Sequence, residues 1–204
     1  GTSKRLTTIV PLFKKFAKRY GFDWRLIAAM AYQESGFDQS KVSPRGAVGI
    51  MQIRPQTAAD PKIGIPDVTT VENNIHAAVK YLSFLRSQYF NDAAIRPRDK
   101  VRFSLAAYNA GPARIRKARR LAGRMQLDPD RWFRNVEMAM LKIVGQETVR
   151  YVSNINKYYV IYRNALERVE KREAAIEQVN KYDGVRRKMT RLKTFGWFRI
   201  SRSG

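Results

Sequence analysis

The chain has 204 residues, 44% of them apolar, enough to build one well-buried domain with an appendage. Its 40 Lys and Arg against 17 Asp and Glu give a net charge of +23, a field that attracts nucleic acid, anionic lipid or anionic cell-wall polymer. Zero cysteines exclude disulfides, thiol nucleophiles and thiolate metal sites, and the single His76 excludes a multi-histidine metal centre and a Ser-His-Asp relay. No apolar run approaches the roughly 20 residues that span a bilayer.

The opening Gly1-Thr2-Ser3 has no apolar signal-peptide core and reads as an expression remnant or the cut end of a longer precursor, with any export signal upstream. Ile9, Leu12, Phe13, Phe16 and Tyr20 recur at three or four residues, predicting a helix that Gly21 stops. Asp23 is placed to cap the next helix, whose inner stripe is Trp24, Ile27, Ala28 and Ala31 and which delivers Glu34. Residues 36–70 hold Gly36, Pro44, Gly46, Gly49, Pro55, Pro61, Gly64 and Pro66, predicting a long structured loop with at most a short helix near 56–60. Connections of that length are usually functional.

Helical spacing returns in Ile75, Ala78, Val79, Leu82 and Leu85, and again in Val101, Leu105 and Tyr108 before Ala110-Gly111-Pro112 breaks it. A basic helix is expected over 112–121, and 127–132 reads as a turn or a helix start. From Gln146 to about Tyr182 one long helix is expected, with Val149, Val152, Ile155, Tyr159, Tyr162, Ala165 and Val169 on one side and a polar second half that projects from the domain. The expected class is all-α, with one domain over 1–165 and a basic C-terminal helical extension over 166–204. Within the extension, residues 185–202 hold seven basic residues, no acid, and Phe195, Trp197 and Phe198. That mixture suits an anionic surface with an apolar layer, or else a solvated tail.

Glu34 lies where the second helix gives way to Ser35-Gly36-Phe37 and then to Ser43-Pro44-Arg45-Gly46-Ala47-Val48-Gly49-Ile50-Met51-Gln52. A carboxyl at the mouth of a rigid helix, under a mostly uncharged loop, is desolvated; that raises its pKa, as a general acid near neutral pH requires. A Glu standing alone near a helix end is usually a solvated charge. Here two further segments accompany it, Ala107-Tyr108-Asn109-Ala110-Gly111-Pro112 and Glu147-Thr148-Val149-Arg150-Tyr151-Val152.

In this order and at these separations the four segments resemble the lytic transglycosylases of bacterial cell-wall turnover, whose catalytic domain is related in fold to goose-type lysozyme. The resemblance covers residues 9–165 and implies an all-α, lysozyme-like domain. It implies one catalytic acid, Glu34, protonating the oxygen between N-acetylmuramic acid and N-acetylglucosamine. The same Glu34 then takes the proton of the C6 hydroxyl, giving a 1,6-anhydromuramoyl end with no water consumed. Most glycosidases use two carboxylates; Asp38, Asp60, Asp67 and Glu147 are at hand, and nothing in their spacing singles one out. By the same resemblance Ser43 and Gln52 line the cleft, Met51 forms an apolar wall, and Tyr108 and Tyr151 keep Glu34 dry and oriented. Asn109 either binds substrate or holds the turn. Gly46 and Gly49 serve the backbone. Arg54 departs from the usual residue at its position and either meets a substrate carboxylate or faces solvent. Glu147 suits the dipole of a first helical turn, and His76 is expected to pack.

Peptidoglycan glycan strands are the expected substrate, with an anionic membrane surface or envelope proteins as further partners. No nucleic acid, metal or cofactor is expected, and the chain should be a monomer. The expected location is periplasmic or outer-membrane-associated, in a Gram-negative-type envelope. Two alternatives remain at this point: a lysozyme-like hydrolase using Glu34 and a water, and a cationic polyanion-binding module with vestigial motifs.

Overall fold

Gly21, at φ 72°, ends α1 (Thr2–Tyr20) where its apolar spacing stops. The computed structural model describes residues 2–200, with side chains described for residues 6–192. Asp23 accepts the Arg25 N–H at 3.0 Å and caps α2 (Trp24–Ser35), burying Ile27, Ala28 and Ala31. Trp24 is half-buried, with the Lys14 ammonium 5.1 Å from its ring. The remaining helices are α3 (Pro55–Ala59), α4 (Val71–Tyr89), α5 (Pro97–Ala110), α6 (Pro112–Arg124), α7 (Glu137–Val144) and α8 (Glu147–Ile200). Proline opens α3, α5 and α6, where its missing N–H costs nothing. Among the described residues there is no strand, only isolated bridges between Val42 and Val48 and between Val48 and Ile53. No described helix is long and apolar enough to cross a membrane.

The chain divides into two compact units, Gly1–Val160 and Ile161–Gly204. In the first, α1 packs on α2 and α4, α4 on α5, α5 on α6, and α6 on α7. Phe13, Phe16, Ile27, Met30, Ile75, Leu82, Phe103, Ile115 and Trp132 fill the core, each side chain worth roughly 1.5–3 kcal/mol of burial. His76 is packed as expected: its ring stacks on Phe16 at 4.4 Å, and its Nε2 lies 2.7 Å from the Tyr20 hydroxyl. One open expectation is resolved and one boundary is moved, each for a local reason. Of the turn or helix start expected over 127–132 the turn is found, and because Phe133 (ψ 131°) and Arg134 (φ 62°) are non-helical the next α-helix begins at Glu137, whose carboxylate accepts the Arg134 N–H at 2.7 Å. Helix α8 does not end near Tyr182 but runs through Gly184, which costs about 1 kcal/mol in a helix without stopping it. The side chains of Phe195, Trp197 and Phe198 lie outside the described residues.

What positions the site is the loop over 36–70, and one fully buried amide organises it. Asn74, on the inner face of α4, accepts the Met51 N–H at 2.9 Å and donates to the carbonyls of Val48 at 2.9 Å and Val68 at 3.0 Å. Gln39 adds a parallel strut, accepting from Ile50 N at 3.0 Å and donating to the carbonyls of Val68 and Thr69. Gly49 has φ 82°, and a Cβ there would collide with the Asn74 amide and come within 2.8 Å of Gln39 Nε2. Glycine is therefore required at 49 for both its backbone angle and its lack of volume.

Asn74→Ala should orphan the Met51 N–H and cost about 2–3 kcal/mol, and Gly49→Ala should cost about as much by collision and strain. Urea unfolding of each variant measures this; a loss below about 1 kcal/mol for both would contradict the role given to the amide.

Candidate active site

Glu34 is the penultimate residue of α2, at the negative end of the helix dipole, where a carboxylate is disfavoured. Gly36 takes φ 64° and returns its N–H to Tyr32 O at 2.9 Å, turning the chain sharply after the acid. Ser35 fastens that turn to the loop: its Oγ donates to Ile50 O at 2.8 Å and accepts the Asp38 N–H at 3.0 Å. From the far end of the domain, the Tyr151 hydroxyl of α8 donates to Glu34 Oε1 at 2.6 Å. Lys41 donates its ammonium to the main-chain oxygen of Glu34 at 2.6 Å.

Burial pushes the Glu34 carboxyl up from its ordinary 4.5 to about 7, against the weaker opposing pull of the Tyr151 hydrogen bond and the Lys41 charge. Tyr108 is close enough to feel the Glu34 charge, and its hydroxyl donates to Met51 O at 2.8 Å. Burial first, and the Glu34 charge second, hold both Tyr108 and Tyr151 well above the ordinary phenol range. Both phenols therefore stay protonated and act as donors.

The remaining expected site residues are placed as follows. Met51 is wholly buried, so it is not an apolar wall open to a ligand; its contribution is the carbonyl that holds Tyr108. Gln52, at φ 48°, is turned inward, and its amide donates to Lys41 O at 3.0 Å and Gly49 O at 2.9 Å. Ser43 is half-buried and closes the 43–47 turn, its Oγ accepting the Ala47 N–H at 3.0 Å. Asn109 is exposed and accepts from the buried Thr148 hydroxyl at 2.7 Å, tying the end of α5 to the start of α8 one turn before Tyr151. Arg54 is exposed, and its charge reaches Tyr81, which packs on Tyr108 with ring centroids 5.5 Å apart. Glu147 is exposed in the first turn of α8.

The other loop acids are engaged in their own turns. Asp38 accepts from Ser40 N and Oγ, Asp60 from Lys62 N, and Asp67 from Thr69 N and Oγ1. Among the described residues no group of three His, Cys, Asp or Glu side chains could hold a metal ion.

Three contributors escaped the sequence argument. Lys41 reads as one surface cation among 40, and nothing local marks it. Gln39 is a loop polar residue like its neighbours. Asn74 did leave a signal, a polar side chain directly before Ile75 on the apolar face of α4, where an amide must find partners.

The folded protein keeps a proton on Glu34 up to about pH 7, whereas the unfolded chain releases it near 4.5. Between those values the folded state binds the extra proton, so this group's contribution to stability declines as pH rises through the window, by about 3 kcal/mol in all. Glu34→Gln should remove that decline and be the more stable protein at pH 8, which denaturant unfolding at pH 5 and pH 8 measures directly.

This geometry can be set beside known proteins. The transglycosylase SLT domain family matches residues 11–129. Membrane-bound lytic murein transglycosylase F of Desulfosudis oleivorans is 38% identical over 172 residues, covering 78% of this chain and 37% of that protein. Among solved structures, an inactive glutamate-to-glutamine mutant of lytic transglycosylase Slt from Pseudomonas aeruginosa superposes with a TM-score of 0.59 at 30% identity, covering 77% of this chain and 24% of that one. The 70-kDa soluble lytic transglycosylase of Escherichia coli gives a TM-score of 0.54 at 29% identity, covering 76% and 24%. The chain thus spans between about a quarter and two fifths of the length of these relatives, and within that span it belongs to the transglycosylase SLT domain family, with its helical lysozyme-like fold.

Proposed function

We propose that this chain is a peptidoglycan lytic transglycosylase that cuts the β-1,4 bond between N-acetylmuramic acid and N-acetylglucosamine without water, its catalytic unit lying within residues 1–165. The observation that carries this is the state of Glu34: a carboxyl raised to about 7 and held by one phenol, while the neighbouring loop acids serve their own turns. A group with that pKa can donate a proton and then accept one at the same pH. Family membership supports the proposal, as does the inactivity of a relative in which a glutamate is replaced by glutamine.

The chemistry closes on itself. Protonated Glu34 gives its proton to the glycosidic oxygen as the bond from C1 to that oxygen breaks, and the N-acetylglucosamine side leaves as an alcohol. The electron-poor C1 is stabilised by the acetamido group of its own sugar. Tyr151, already donating to Oε1, stabilises the carboxylate just formed, and the Lys41 charge assists. The C6 oxygen then bonds to C1 and surrenders its proton to Glu34, leaving the enzyme as it began. In this scheme Tyr108 braces the wall beside the acid through Met51 O, Asn109 and Thr148 fix the entry of α8, and Ser43 and Gln52 shape the loop that borders the glycan. An envelope location, periplasmic or at the outer membrane, follows from the substrate.

Mass spectrometry of digested sacculi should find muropeptides ending in 1,6-anhydromuramic acid; free reducing ends throughout would instead favour the hydrolase that uses Glu34 with a water. Glu34→Gln should reduce wall solubilisation by about 10³-fold, and undiminished solubilisation would remove Glu34 from the mechanism; a wild-type chain that binds the wall and releases nothing would instead be a cationic binding module. A separate outcome concerns Tyr151. Its hydrogen bond lowers the Glu34 pKa, so Tyr151→Phe should move the alkaline limb of the kcat/KM profile above its position near pH 7, while kcat falls roughly 10- to 100-fold. An unmoved limb would remove Tyr151 from the acid's environment.

A further inference from the structure

Helix α8 beyond Ile161 is a second compact unit, and from Glu167 to Leu192 every described residue is exposed. Such a helix has no core to support it, and isolated helices in water are marginal even with good propensity. Yet it carries large apolar side chains: Tyr182, Val185, Met189 and Leu192 are each more than half exposed. At 3.6 residues per turn these four fall within an arc of roughly 80°, one coherent face. Together with Arg186 and Thr190 they line a shallow depression along the helix.

The charges around that face have one sign. Lys181 and Lys188 lie along one edge of the apolar arc and Arg186 along the other, while Arg187 and Arg191 complete the opposite side. The one acid between Asn180 and Leu192 is Asp183, which falls on the far side. Long basic side chains bordering an apolar strip can lay their stems on a hydrocarbon boundary and lift their charges to anionic headgroups. A second copy of this helix fits poorly, because pairing the apolar strips would bring the same cations together.

We infer that residues 181–192 form an interfacial helix face that docks the chain on an anionic lipid surface, with Tyr182, Val185, Met189 and Leu192 entering the headgroup boundary and Lys181, Arg186 and Lys188 contacting lipid phosphates. The inference is independent of the glycan chemistry and can be tested without peptidoglycan, so its failure and that of the enzyme proposal are separate results.

The test is co-sedimentation of the intact chain with vesicles of equal parts phosphatidylglycerol and phosphatidylcholine, against pure phosphatidylcholine, at about 0.15 M salt. The anionic vesicles should bind at least about tenfold more tightly. Met189→Glu with Leu192→Glu should weaken that binding about tenfold or more, and Arg186→Gln with Lys188→Gln by about fivefold for each charge removed. Met189→Ala with Leu192→Ala, which retains strong helix formers, should show the same direction with helix content unchanged by circular dichroism. Binding that ignores both substitutions of the Met189 and Leu192 pair would overturn the proposal, because it would then come from the general +23 charge. So would equal affinity for neutral vesicles. Self-association in sedimentation velocity that disappears in the apolar variants would reassign the face to a second copy.

Discussion

A hydrogen bond of 2.6 Å between residues 117 positions apart, from Tyr151 to Glu34, joins the last helix of the first unit to the acid at the end of α2. Two demands meet there. For the proposed reaction the carboxyl must be dry enough to keep its proton near neutrality, yet the anion it would become must not be stranded. Burying a carboxylate without partners costs several kcal/mol; a single phenol donor and a nearby ammonium recover part of that cost without erasing the raised pKa. Stronger pairing, such as a direct ion pair to the carboxylate, would pull the pKa back down and leave no proton to donate near neutrality.

The surroundings of this bond are set to hold it in place rather than to contact it. Tyr108 is secured by Met51 O, Met51 N by Asn74, and the carbonyl before it by Ser35 of α2 itself. The loop therefore closes back onto the helix that carries the acid. At the other end of that helix, Asp23 accepts both the α2 cap N–H and the Tyr159 hydroxyl of α8 at 2.9 Å. Helices α2 and α8 are thus pinned at two places, one through each end of α2, which fixes their register and with it the position of Tyr151.

The all-α class was legible in the chain because it rests on helical spacing and glycine stops, and the nearness of Tyr108 and Tyr151 to Glu34 was legible only through the order and separation of the four segments that carry the family resemblance. Asp23 as a cap and the short helix at Pro55–Ala59 were legible from local chemistry. Met51 was misplaced because whether a loop methionine faces in or out depends on which partner claims its backbone, and Asn74 lies 23 residues away. Where α7 starts was not legible, because the positive φ that delays it falls on Arg134, a residue type that carries no turn signal. Lys41 could not be found from sequence at all, since its role depends on where the loop brings its ammonium.

The steric relation at Gly49 reaches beyond stability. Positions 49, 74 and 39 occupy one volume, and no side chain can be added at the first without removing atoms from the other two. Sequence drift at these sites is consequently not independent: a lineage that lost the Asn74 amide would gain room at 49 while losing the partner of Met51 N. The room so gained could not be used by an L side chain without strain, because the φ of 82° at 49 would remain, so the loop's path and the amide's seat constrain this position separately.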